Sequence, residues 1–305
     1  MMKCNVFEWY NDHLYCIDHE RQVIAMIEIG SGRVQQEFGR KGTGEGSGEF
    51  KGLFHSIADS NGIVGLDVAK ESLTEFDYQG KVIREYKHPT QIMSAARLSA
   101  PSQYLVKPLE PFENNKEQFQ IVDVATQTRQ PLFATAQVSP PDVASLFASF
   151  IRSQVQSVYF NGPMVNNNAG VIVRVSMYCN EFVAFDAHSG RVLYGRQTID
   201  PSGKWSVPNI STDFSTMRKI NLAATANAQY LFVLSNAPLS PSKDAETNLA
   251  DERVVDAYNI RNGDYTMSFV LPKHHGERAK GLQITNEDLW VLYDHAIVQY
   301  QYQIP

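Results

Sequence analysis

Apolar and polar positions alternate along this chain in short runs, and the runs recur in a fixed order. An apolar strand closing near Asp or a polar turn is followed by a second strand, a Gly turn and a third. HLYCID at 13–18 leads to QVIAMIEIGSGRVQQEF at 22–38, and NGIVGLD at 61–67 leads to SLTEFDYQGKVIREY at 72–86. QYLVKP at 103–108 leads to QFQIVDVATQTRQPLF at 118–133, and GVIVRVS at 170–176 to FVAFDAHSGRVLYGR at 182–196. QYLFVLS at 229–235 leads to RVVDAYNIRNGDYTMSF at 253–269, and EDLWVLY at 287–293 to AIVQYQYQ at 296–303. Period-two alternation in runs rich in Val, Ile, Phe and Tyr marks strands with one buried face.

Gly32, Gly80, Gly190 and Gly263 fall at the same place in four units, and Ala125–Thr128 occupies it in a fifth. A tight hairpin needs positive φ there, which Gly supplies without strain. One further strand precedes each pair: CNVFEW, HSIAD, IMSAARL, SVYFNGP, KINLAAT and KGLQIT. Six units of roughly four antiparallel strands predict an all-β six-bladed β-propeller, a single domain over 1–305, since a radial array leaves only short edges. The glycine-rich FGRKGTGEGSGEF at 38–50 reads as the crossing from the last strand of one unit to the first of the next. It matches neither GxGxxG nor GxxxxGK[ST], so no phosphate cradle is expected. The last unit stops after its third strand, which leaves its outer strand missing or borrowed from residues near Met1.

One helix is expected, over 142–155 within PPDVASLFASFIRSQV. Pro141 and Asp142 suit its start, and Val143, Leu146, Phe147, Phe150, Ile151 and Val155 form one stripe. It would pack on the propeller or act as a lid. If residues 4–9 and 14–18 pair as a hairpin across Asn11-Asp12, opposite positions place Cys16 against Phe7 and Cys4 against His19. The three cysteines, Cys4, Cys16 and Cys179, are accordingly expected as thiols.

Charge narrows the partners. Thirty-three acidic against 27 basic residues give −6, and no Lys/Arg cluster stands ready to neutralise phosphates, so no nucleic acid is expected. No apolar run reaches membrane-spanning length, and no signal-peptide core follows Lys3, which reads as cytoplasmic for the sequence as written. No GxSxG, HExxH or H-x-H occurs.

In a propeller the blade-joining loops crowd one face. The candidate ligand-binding set there is His19, His55, His88, Arg97, Asn161, Trp205, Arg218, His274, His275, Asp294 and His295. Asp67 and Lys107 share that face, and Glu8 and Asn221 join Arg97 and Asn161 on inner strands. His274 and His275 are adjacent, so their side chains should diverge on an extended backbone. No cofactor is predicted; a divalent ion held by several imidazoles, or by carboxylate and amide oxygens, is the alternative.

The run FGRKGTGEGSGEF followed by IADSNGIVGLDVAKESLTEFDYQGKVIREY resembles the NHL-type and TolB-like six-bladed propellers, above all the TolB-like family of Bacteroides-type bacteria. The fifth unit, QYLFVLS through YTMSFVLP with its long polar insert, resembles that family's penultimate blade. The chain departs in having Lys51-Gly52-Leu53 where a Pro usually follows Gly-Glu-Phe, and in showing no leader. The resemblance implies a cell-envelope location where a leader has been removed. It also implies a binding or scaffold propeller for a protein, peptide or small ligand. A metal-assisted hydrolase or lyase of gluconolactonase type is the alternative.

Overall fold

The computed structural model describes residues 3–43, 45–108, 117–134, 162–178, 180–199, 219–236, 253–285 and 288–302. Their regular elements are strands, in six consecutive antiparallel sheets that are the blades of a six-bladed β-propeller. Blade one is β1 (Val6–Tyr10), β2 (His13–Asp18), β3 (Val23–Glu28) and β4 (Val34–Phe38). The two-residue strands β5 (Arg40–Lys41) and β6 (Glu49–Phe50) pair in parallel beyond it. Blade two is β7 (Leu53–Asp59), β8 (Gly62–Asp67), β9 (Ser72–Phe76) and β10 (Val82–Lys87). Blade three is β11 (Ile92–Arg97), β12 (Gln103–Pro108), β13 (Glu117–Asp123) and β14 (Thr128–Ala134).

Blade four is β15 (Met164–Asn166), β16 (Val171–Val175), β17 (Glu181–Asp186) and β18 (Val192–Gln197). Blade five is β19 (Asn221–Ala226), β20 (Tyr230–Ser235), β21 (Arg253–Asn259) and β22 (Tyr265–Leu271). Blade six is β23 (Gly281–Ile284), β24 (Asp288–Leu292) and β25 (Ile297–Gln301). The chain divides into two compact units, Met1–Leu109 with Phe119–Leu132, and Glu110–Gln118 with Phe133–Pro305.

Local chemistry sets the hairpins. The glycines expected at the third turns all have positive φ: Gly32 at 65°, Gly80 at 81°, Gly190 at 69° and Gly263 at 76°. In blade three Gln127 takes the same place at 58°. Asn11 and Asp12 are both left-handed, and the ladder beyond them sets Phe7 against Cys16 as the hairpin arithmetic requires. Each core lies between successive sheets. In unit one, Tyr15, Ile17, Ile24 and Phe38 of blade one meet Phe50, Leu53, Ile63 and Phe76. In unit two, Val173, Phe182 and Ala184 meet Leu231, Val233 and Tyr258, and Phe232, Val255 and Leu271 meet Leu282, Leu289 and Val291. Removing such side chains from water is the main favourable term, about 25 cal/mol per Å² of apolar surface.

The glycine-rich run is the crossing. It carries the chain from β4, the outermost strand of blade one, to β7, the innermost of blade two. Its end, Phe50, is fully buried against two glycines. A Cβ on Gly39 or Gly65 would lie 2.2 or 2.4 Å from the ring, so only glycine admits it.

Three expectations are corrected, and the alternative left open at blade six is narrowed. The helix over 142–155 does not carry over: no helix occurs among the described residues, and that stretch lies outside them. Val143, Phe147, Phe150, Ile151 and Val155 are mediocre helix formers, and so short a helix is marginal without a face to pack on. Among the described residues the first strand of blade four is Met164–Asn166, beyond the expected SVYFNGP, whose first five residues are not among those described. Blade six has three strands among the described residues, as expected, and β1 pairs there only with β2, so no strand borrowed from near Met1 is found among them. Lastly, Cys4 and Cys16 form a disulfide, with Cα atoms 5.3 Å apart. Cys4 precedes the ladder, so ladder register does not fix its position; Cys179 lies outside the described residues.

Candidate functional site

Three inner strands of unit one bring ionisable side chains together: Glu8 from β1, His55 and Asp59 from β7, and Arg97 from β11. Glu8 sits mid-strand, where its Oε2 accepts a hydrogen bond from the Ala58 N–H at 2.8 Å. Its Oε1 lies 3.6 Å from His55 Nε2, too far for a hydrogen bond; the two side chains are 17% and 16% exposed. Arg97, 3% exposed, sets Nε 3.2 Å from Asp59 and Nη2 4.0 Å from Glu75 of β9. Its guanidinium lies 5.3 Å from the centre of the Tyr104 ring. The Tyr104 hydroxyl donates to Glu75, whose other oxygen meets Arg84 Nε at 2.7 Å. Two carboxylates thus face two guanidiniums, and Glu8 is left to His55.

Burial pushes the Glu8 carboxyl up to about 8; the Ala58 amide opposes this and the Asp59 charge adds to it. Burial pushes His55 down to about 4. At neutral pH the pair therefore holds one proton, on Glu8, and moving it to His55 leaves the net charge unchanged. Chemically this is a proton donor and acceptor set side by side.

The pH dependence has a definite sign. Glu8 binds its proton more tightly folded, about 8 against an ordinary 4.5, so its contribution is complete at low pH and fades as pH rises through 8. His55 acts oppositely between about 4 and its ordinary 6.5. The two offset each other in the acidic range, and a net fall remains from roughly 6.5 to 8. Melting temperatures measured from pH 5 to 9 should decline over that interval in the wild type. Glu8→Gln should flatten the decline; an unchanged slope would show that Glu8 titrates normally.

The other expected residues fall elsewhere. His88, in the connection from β10 to β11, is buried, with Nδ1 2.8 Å from Thr90 O and Nε2 2.9 Å from Gln120 Oε1. His19 stands in the turn after β2, its N–H donating to Asn5 Oδ1 at 3.1 Å. Asp67 is buried and caps backbone, accepting from the N–H groups of Lys51, Gly52, Ala69 and Lys70. Asn221 donates to Ser176 O at 2.7 Å, and Lys107 is buried over Phe119. Asn161, Trp205 and Arg218 lie outside the described residues.

Unit two gathers His274, His275, Asp294 and His295 at two loops. His274 and His275 do not diverge: His275 is left-handed at φ 49° in a tight turn, and the rings stand 4.3 Å apart. Asp294 pairs with Lys280, and His295, 86% exposed, pairs with Glu277. That contact raises the His295 pKa and lowers that of Glu277. Among the described residues no three His, Cys, Asp or Glu side chains form a group that could hold a metal ion.

Sequence reading missed Asp59, Glu75 and Tyr104. The available signal was SLTEF, a strand buried along its whole length that nevertheless carries a glutamate.

No protein-family model matches the chain, and no curated protein does. Solved structures do. A Bacteroides fragilis protein named as exported matches at 11% identity and TM-score 0.57, over 95% of this chain and 79% of that one. The WD40 domain of Neurospora crassa Pan2 matches at 9% and 0.54, over 95% and 72%. The β-propeller domain of Myceliophthora thermophila Cps50 (Swd1) matches at 10% and 0.53, over 99% and 98%. At these identities the likeness is one of fold.

Proposed function

We propose that this chain is a non-catalytic binding propeller, one domain over residues 1–305, which recognises a protein, peptide or small ligand through its blade-joining loops. The fold is commonly a protein-binding scaffold, in which rigid sheets carry variable loops. The observation that carries the reading is the pairing of ionisable groups across blades two and three of unit one. Arg97, Asp59, Glu75, Arg84 and Tyr104 engage one another rather than converging on an open point. Near the start of β7, at the irregularity between Leu53 and His55, Phe54 is 39% exposed and suits an apolar anchor. The finer assignment to the TolB-like and NHL-type propellers rests on the Gly-rich crossing and the unit after it.

A second reading, a hydrolase or lyase, is favoured by the Glu8–His55 pair, which could move a proton. Metal analysis of dialysed protein, with turnover assays on simple lactones and esters, separates the two. The scaffold reading expects neither retained metal nor turnover. One Ca²⁺ or Zn²⁺ per chain, with turnover lost in Glu8→Gln, would replace it by the enzyme.

A further inference from the structure

Blade six is a strand short among the described residues. Its last strand, β25, takes the third place in its sheet, as β3, β9, β17 and β21 do in theirs. Those four are buried over most of their length, whereas no residue of β25 is buried. The open edge can be placed residue by residue. Across the β24–β25 turn the Tyr293 N–H donates to Ala296 O at 2.8 Å. Alternation along an antiparallel ladder then turns the N–H and C=O groups of Ile297, Gln299 and Gln301 away from β24. Natural edges are guarded by charge or proline. Among the outer strands β10 carries Arg84, Glu85 and Lys87 and β14 carries Pro131, whereas β22 (YTMSFVL) and β25 (IVQYQ) have neither.

The side chains say what would fit. Val298, Tyr300 and Tyr302 lie half-buried against the core shared by blades five and six. In blade five the fourth strand covers the same core with Met267 and Phe269, set opposite Ala257 and Val255. A fourth strand in blade six would need apolar residues two positions apart, opposite Val298 and Tyr300, and no charge between them.

We infer that the open edge of β25 accepts an extended segment of a partner protein, apolar at alternate positions, as the fourth strand of blade six. Size favours a segment over a second folded copy. A stable interface between folded chains takes on the order of 1,200 Å² or more, well beyond a five-residue edge. Strand addition needs only main-chain bonds and alternate side-chain pockets. The inference deepens the scaffold reading and rests on it for the partner being a polypeptide.

The test uses the full chain and a labelled peptide copying its own fourth strand from blade five, YTMSFVL. Fluorescence anisotropy should show saturable binding, and hydrogen exchange should show the amides of Ile297, Gln299 and Gln301 slowed by the peptide. Gln299→Pro removes an edge N–H that no neighbouring strand among the described residues uses; it should weaken binding at least tenfold while the melting temperature moves little. Three results would overturn the inference. One is edge amides already as slow as those of β21 in the free protein, which would mean the edge is covered. Another is a doubling of mass in solution that Gln299→Pro abolishes, which would make a second copy the occupant. The last is absent binding, or binding indifferent to Gln299→Pro. None of these touches the scaffold reading, which metal retention and turnover decide.

Discussion

Arg97→Ala should destabilise unit one by about 3–5 kcal/mol, the usual cost of removing one partner from a buried ion pair. The reason is the company Arg97 keeps. Its guanidinium lies between Asp59 and Glu75 and over the Tyr104 ring, with almost no access to water. Alanine would leave two carboxylates facing a space once filled by positive charge, with a void beside the ring. Glu75 would keep Arg84 and Tyr104, so Asp59 should suffer most. Urea unfolding followed by tryptophan fluorescence would report the shift in midpoint. Arg97→Lys should fall between wild type and alanine, because an ammonium keeps the charge but not the planar fork. A loss below about 1 kcal/mol for Arg97→Ala would mean that water screens the network as it screens surface pairs.

Breaking the Cys4–Cys16 bridge should cost about 3 kcal/mol, since a closed loop of this size restricts the unfolded chain by roughly that amount. The bridge holds the segment that leads into β1. Around it the Asn5 N–H donates to Ile17 O at 2.9 Å and the Lys3 N–H to Asp18 at 3.1 Å. Those bonds should loosen together on reduction. Scanning calorimetry with and without reductant, and on Cys4→Ser, should give matching falls in melting temperature of about 6–12 °C at most for a chain of this size. A fall with reductant but none in Cys4→Ser would place the effect at another cysteine. Such a bridge persists in an oxidising compartment and is opened in a reducing one.

The fold was legible because its information is local. Strand and turn alternate within a few dozen residues, and the third turn repeats so faithfully that Ala125–Thr128 could be set in a glycine's place, where Gln127 takes the positive φ. Strand ends came out within a residue or two wherever the apolar run was long, as at QYLVKP and HLYCID. The first strand of blade four failed because a three-residue strand barely registers as a pattern. The candidate site was legible only in part. His55 and Arg97 belong to it, and Glu8 could be placed on an inner strand. Their partners Asp59 and Glu75 are fixed by how one blade lies on the next, which alternation within a strand does not encode. The disulfide escaped for a related reason: pairing arithmetic stops where the ladder stops, and Cys4 stands just before it.

In every sheet the strands follow chain order, so each hydrogen-bonded partner is a neighbour in sequence. Assembly can therefore be vectorial. A meander emerging from the ribosome finds its ladder partners already made, and within each compact unit its apolar side meets the blade synthesised just before it. Low loop-closure entropy at each step favours rapid, stepwise growth over a search among distant strands.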